Sequence, residues 1–185
     1  MKRFLLPAAL FAASTALHAA DLPAAIAAQL PPGYGPMTFR AGPPIEGGRH
    51  SVLVVAHRRD DSAEKPSPRP LLIFEEQASG EYRLSARNDT VVLRANEGGQ
   101  CDPFEDGYEG LAVKGSYFTV QNGVACGSHW TDFITFRYDR GRRAWLFESK
   151  IVTHSDPLSG SPDKSTVTRA NRANPVEFEA WRPAH

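Results

Sequence analysis

Beyond Pro36 the chain carries almost no helical periodicity, and that scarcity constrains its fold more than any other feature. Its apolar residues fall in short runs: SVLVVAH (51–57), PLLIFEE (70–76), EYRLSAR (81–87), TVVLR (90–94) and DFITFRY (132–138). Short runs with period-two alternation are strands. In EYRLSAR the alternation puts Tyr82, Leu84 and Ala86 on one face; in DFITFRY it does so for Ile134, Phe136 and Tyr138. Turn residues punctuate the runs: Ser79-Gly80, Lys114-Gly115 between GLAV and SYFTVQ, Asn122-Gly123, and Asp139-Arg140-Gly141-Arg142. Glycine supplies the positive φ that tight hairpins require. AWLFESKIVTH, STVTR and VEFEAW complete the series, the last exposing Glu177 and Glu179 alternately. About ten strands with short connections predict an all-β fold, an antiparallel β-sandwich or a partly closed barrel.

One short N-terminal helix is expected before the strands. Asp21 is placed to cap it, Pro23 sits in its first turn, and Leu22, Ile26 and Leu30 recur at four-residue spacing. PPGYGP (31–36) ends it. RRDDSAEKPSPR (58–69), charged and proline-containing, reads as a solvated excursion between two strands.

The first residues, MKRFLLPAALFAASTALHAAD, open with Lys2 and Arg3, continue apolar from Phe4 to about Leu17, and close on Ala19 and Ala20. This is the three-part pattern of a secretory signal peptide. The apolar run of about 14 residues is short of the ~20 that a spanning helix needs. The expected organisation is a signal peptide at 1–20 and a single β-rich domain over 21–185, exported to the periplasm or secreted. Loss of Lys2 and Arg3 leaves 19 of 21 cations against 21 acidic groups, a net charge of −2. Near-neutral charge argues against nucleic acid or an anionic membrane as partner, and no later segment has the length and apolarity to span a membrane. Two cysteines in an exported chain pair, so Cys101 and Cys126 are expected to form a disulfide. In the chain-entropy model that closure is worth roughly 3–4 kcal/mol.

The central segment resembles a family of exported bacterial β-rich proteins similar to FG-GAP-associated chains. The blocks that carry the likeness are RPLLIF (69–74), EYRLSARND (81–89), GG with DPFE (98–105), and GSHW followed by FITFRY (127–138). The resemblance implies export and a β-rich fold, and it supplies no reaction. In that family an Asp-rich calcium-type loop precedes a V-L-V strand. Here the equivalent AGPPIEGGRHSVLVV (41–55) offers Glu46 as its one carboxylate, and a hard cation wants several oxygens. The two most glycine-rich blocks each carry one cysteine, so the disulfide would draw the two loops together.

Candidate chemistry gathers around those loops. Glu97, Asp102, Glu105, Asp106 and Glu109 form an acidic cluster whose spacing departs from an EF-hand, and turn chemistry is favoured over a metal. Pro103 and Phe104 read as a wedge packed beneath the loop. Paired carboxylates also serve glycosidases, with Phe104, Tyr108 and Trp130 near enough in sequence to stack on sugar. His129 adjoins Trp130, and no histidine pair shows metal-ligand spacing. Ser128 lacks the nucleophile elbow. Asn88-Asp89-Thr90 matches a glycosylation acceptor. Arg137, Arg140, Arg142 and Arg143 crowd one hairpin tip, and with Arg58 and Arg59 they would form a basic surface.

The function expected from these readings is a non-catalytic binding or interaction domain, with no cofactor, no metal and no catalytic residue assigned. Its possible binding surface is Asp102, Glu105, Asp106, Tyr108, Ser128, His129 and Trp130, and its partner a cell-envelope protein or glycan. Two alternatives stand beside it: an inhibitor or immunity protein against a wall-cutting enzyme, and an envelope hydrolase using carboxylates near the disulfide. A calcium-stabilised module is a third.

Overall fold

A computed structural model of the chain describes residues 22–105, 110–126, 129–156, 158 and 162–183; the signal peptide expected at 1–20 and the cap expected at Asp21 lie outside them. Among the described residues the order is α1 (Ala24–Ala27), β1 (Tyr34–Ala41), a 3₁₀ turn (Glu46–Gly48), β2 (Ser51–Arg58), β3 (Leu71–Glu76), β4 (Tyr82–Asn88), β5 (Leu111–Lys114), β6 (Tyr117–Val124), β7 (His129–Asp139), β8 (Ala144–Ser155) and β9 (Lys164–Arg169). The strands form two antiparallel meanders, β1-β2-β3-β4 and β5-β6-β7-β8-β9, and neither closes into a barrel. The expected all-β architecture is present, in its sandwich form.

The two sheets bury different kinds of strand. Leu53, Val55 and Ile73 of the first sheet meet Val120, Phe118 and Phe136 of the second in the inter-sheet core. The alternate residues Val54, Ala56, Leu72 and Phe74 are buried too, under Ile26, with Leu22 and Leu30 packed beside them. The short helix thus lids the outer face of the first sheet. This is why SVLVVAH and LLIF are apolar at successive positions, as strands covered on both faces must be. Each fully buried Val, Leu, Ile or Phe is worth roughly 1.5–3 kcal/mol.

Several expectations are corrected. β1 (YGPMTFRA) opens on Tyr34-Gly35-Pro36, the close of the PPGYGP segment (31–36) expected only to end the helix. It is an edge strand with a register shift between Pro36 and Thr38, where a missing ladder N–H is tolerated. Asn122-Gly123, expected as a turn, lies inside β6 opposite Asp132 and Thr131. A Cβ on Gly123 would come within 2.7 Å of the Trp130 carbonyl oxygen, so the glycine serves close strand approach and no bend. The Lys114-Gly115 turn is displaced by one residue to Gly115-Ser116, with Gly115 at φ 59°. TVVLR forms no strand. Val91 and Val92 are buried in an irregular crossover between the sheets.

VEFEAW is likewise not a full strand: a single bridge joins Leu146 to Glu177, and a turn then carries Phe178 and Trp181 into the core. Phe178 meets Phe136 edge to face with centroids 5.0 Å apart. Asn88 pins that turn. Its Nδ2 donates to the carbonyls of Phe178 (2.5 Å) and Trp181 (3.0 Å), and its Oδ1 accepts from the N–H groups of Thr90 (2.8 Å) and Val91 (2.9 Å). Asn88 is 1% exposed, so the glycosylation acceptor is an internal clamp. Asn122 plays the same part from β6, accepting from Leu93 N–H and donating to the Val91 carbonyl, both at 3.0 Å.

Candidate functional site

One end of the sandwich gathers the 58–70 loop, the crossover over 89–105 and the disulfide. Cys101 and Cys126 are bonded, with Cα atoms 6.3 Å apart, as expected. The Gly98 block therefore lies against the end of β6, and Gly123 N–H donates to the Pro103 carbonyl at 2.7 Å. Pro103 and Phe104 are buried beneath the loop, in the wedge position expected of them.

A buried ion network locks this end. Arg69, in the loop read as solvated, is 1% exposed. Its Nε donates to Asp61 Oδ2 at 2.7 Å, and its Nη1 and Nη2 grip the two oxygens of Asp102 at 2.5 Å each. Asp61 Oδ1 accepts from the Ser67 N–H (2.7 Å) and hydroxyl (3.0 Å), and Asp102 Oδ1 also accepts from Phe104 N–H (3.0 Å). Burial opposes ionisation of Asp102, but the Arg69 guanidinium and the Phe104 N–H outweigh it, holding its carboxyl below the usual aspartate range. Satisfied charge of this kind fixes loops in place.

A second feature arises from a β-bulge. Thr135 pairs with Ser149 and Phe136 with Phe147, so Glu148 has no counterpart on β7. The extra residue inverts the phase of β8. Trp145 and Phe147 face the core before it; Lys150, Val152 and His154 share that face after it, opposite Ile134, Asp132 and Trp130. These residues border a cavity of about 250 Å³, completed by Thr90 and Leu93 from the crossover and Trp181 and Pro183 from the C-terminal segment. The Asp132 side chain is 9% exposed, and its Oδ2 lies 3.0 Å from Lys150 Nζ. Its Oδ1 is the one buried side-chain oxygen or nitrogen without a hydrogen-bond partner among the described residues. Burial raises the Asp132 carboxyl above the usual range, and Lys150 offsets this only in part.

The expected surface is divided by this geometry. Asp102 has both oxygens on Arg69. Glu105 is exposed and borders a separate hollow beside Met37 and Leu111. Asp106, Tyr108 and Ser128 lie outside the described residues. His129 and Trp130 are neighbours in sequence but point to opposite faces of β7, and Trp130 is the one that reaches the cavity. Asp132, Lys150, His154 and Trp181 were missed. The one signal was that alternation in DFITFRY puts Asp132 on the face of Ile134 and Phe136; alternation continued from Trp145 and Phe147 turns Lys150 and His154 outward, and only the bulge brings them in.

The arginines do not form one patch. Arg143 pairs with Glu46 (2.9 Å) and Arg137 with Asp139 (2.9 Å) and Glu148 (3.1 Å), whereas Arg58 pairs with Asp60 at the far end of β2. Among the described residues no cluster of three or more His, Cys, Asp or Glu is arranged to hold a metal, and no helix is long and apolar enough to cross a membrane. Searches against family models, curated proteins and solved structures return no match.

Proposed function

We propose that the chain is an exported, non-catalytic binding domain whose recognition site is the cavity between Trp130 and Trp181 at the disulfide end of the sandwich, and whose partner is a molecule of the cell envelope. The observation that carries this reading is a buried carboxylate with an unpartnered oxygen beside a largely apolar hollow with two indoles. Ligand sites combine those elements: apolar walls for affinity and few polar groups for orientation. A disulfide and a saturated ion network hold the adjoining loops, so little ordering is left for a ligand to impose. The signal-peptide pattern and the paired cysteines support export.

The three tryptophans make the test direct. Trp145 donates its indole N–H to Glu75 Oε1 at 3.0 Å, away from the cavity. In a ¹⁵N-indole spectrum, a deproteinised digest of envelope material is expected to shift the Trp130 and Trp181 signals and leave Trp145 in place. A digest that moves neither cavity signal counts against the reading.

A further inference from the structure

We infer that the cavity takes one neutral sugar ring, packed against Trp130 and Trp181 with a hydroxyl held between Asp132 and Lys150. The inference rests on the proposed reading of this cavity as the binding site and names the class of its ligand.

Charge narrows the class first. Asp132 and Lys150 lie 3.0 Å apart and together carry no net charge. A cation drawn to the carboxylate meets the ammonium, and an anion drawn to the ammonium meets the carboxylate. Hydrogen-bond capacity narrows it further. Asp132 Oδ1 needs a donor, and Lys150 Nζ has donors beyond the one spent on Asp132. A hydroxyl donates one bond and accepts others, so a single group on a neutral ligand satisfies both residues. Oδ1 is itself sealed from water, but a terminal carboxylate torsion is broad and two-fold. A partial turn about Cβ–Cγ carries an oxygen towards the cavity that Asp132 lines, where a ligand hydroxyl meets it.

Shape agrees with chemistry. The cavity of about 250 Å³ is smaller than the ~300–1,000 Å³ of sites for drug-sized ligands, which suits a single ring. One indole comes from β7 and the other from the C-terminal segment, with Ile134 and Val152 between the polar groups on the sheet side. An indole presents a flat apolar face to the C–H face of a sugar ring. The raised carboxyl of Asp132 fits the same picture, because a charge short of solvation gains most from a new donor.

The full chain, ¹⁵N-labelled at its tryptophans, is titrated separately with N-acetylglucosamine, galactose, choline and indole. The expected result is that a neutral sugar moves the Trp130 and Trp181 signals while Trp145 stays fixed. Asp132→Ala weakens that sugar by about tenfold or more, the effect of losing a hydrogen bond to a charged group. Lys150→Met does the same and is a second route should Asp132→Ala fail to keep the Trp145 signal of a folded domain. Choline or indole moving the cavity signals while both sugars leave them unmoved overturns the sugar assignment and leaves the binding reading standing. Sugar binding that survives both substitutions unchanged overturns it as well. Silence towards all four probes and towards the envelope digest removes both.

Discussion

Asp61 and Asp132 are both aspartates removed from water, and their surroundings differ oxygen by oxygen. Asp61 Oδ2 takes Arg69, and Oδ1 takes the Ser67 backbone and hydroxyl. The same guanidinium reaches on to Asp102, so one cation joins the 58–70 loop to the disulfide-bearing crossover. Asp132 has Lys150 on one oxygen and nothing on the other. Burying a charge is costly unless its hydrogen bonds are made. A saturated network repays that cost with rigidity. A half-saturated one beside a cavity holds an unused acceptor, which in a folded protein calls for an explanation. The lesson is that acidity alone does not mark a site. The acidic residue that stood out in the sequence, Asp102, is spent on structure, and the inconspicuous one, in a regular strand, is in reserve.

The largest effect tests the saturated side. Asp61→Ala strands Arg69 with Asp102 alone and leaves two Ser67 donors unmet, and it is expected to cost about 3–5 kcal/mol. Against a net stability of about 5–15 kcal/mol that is a large share. Urea denaturation of the variant measures it. A loss under about 1 kcal/mol would mean that the network is dispensable and the contrast with Asp132 is false.

A smaller effect is expected from the covalent link at the same end. Replacing Cys101 and Cys126 together by serine removes a cross-link over a sequence separation of 25 residues. It is expected to cost roughly 2–4 kcal/mol while the domain stays folded, because Arg69 still holds Asp102. Thermal melting with circular dichroism reads both quantities. An unfolded double variant would place the disulfide above the ion network in holding this end.

Much of the architecture was legible because it depends on local alternation. β7 matches a run of one clear phase, β2 and β3 match short continuous apolar runs, and Gly115 with its positive φ marked the β5–β6 hairpin within one residue. What was hidden depends on tertiary context. Ser85 is the extra residue in β4, where Ile73 pairs with Ala86 and Phe74 with Leu84. Tyr82 therefore packs under the helix side and Ala86 in the inter-sheet core, although simple alternation put them on one face. Glu148 does the same to β8 and thereby brings Lys150 to Asp132. A bulge has no composition of its own, so a phase change is invisible until the partner strand is known. Asn88 and Asn122 were misread for a related reason. The turn chemistry of asparagine is the same whether it faces water or clamps a buried carbonyl.

Asp102, the other carboxylate on Arg69, and Asp132 carry opposite pH signatures. Asp102 has its carboxyl depressed, so the stability it contributes is present above the unfolded aspartate value of about 3.9 and is lost as pH falls through its lower folded value. Asp132 is raised, so folding favours its protonated form, and its ionisation reduces stability as pH climbs from about 3.9 through its folded value. The most direct measurement is a ¹³Cγ-aspartate titration of the folded domain by NMR, with Asp102→Asn and Asp132→Asn used to assign the two signals. The account predicts that Asp132 titrates above the ordinary aspartate range and Asp102 below it. An Asp132 that titrates at or below the ordinary value would show that its carboxylate is already satisfied, and the case for a ligand at that cavity would be lost.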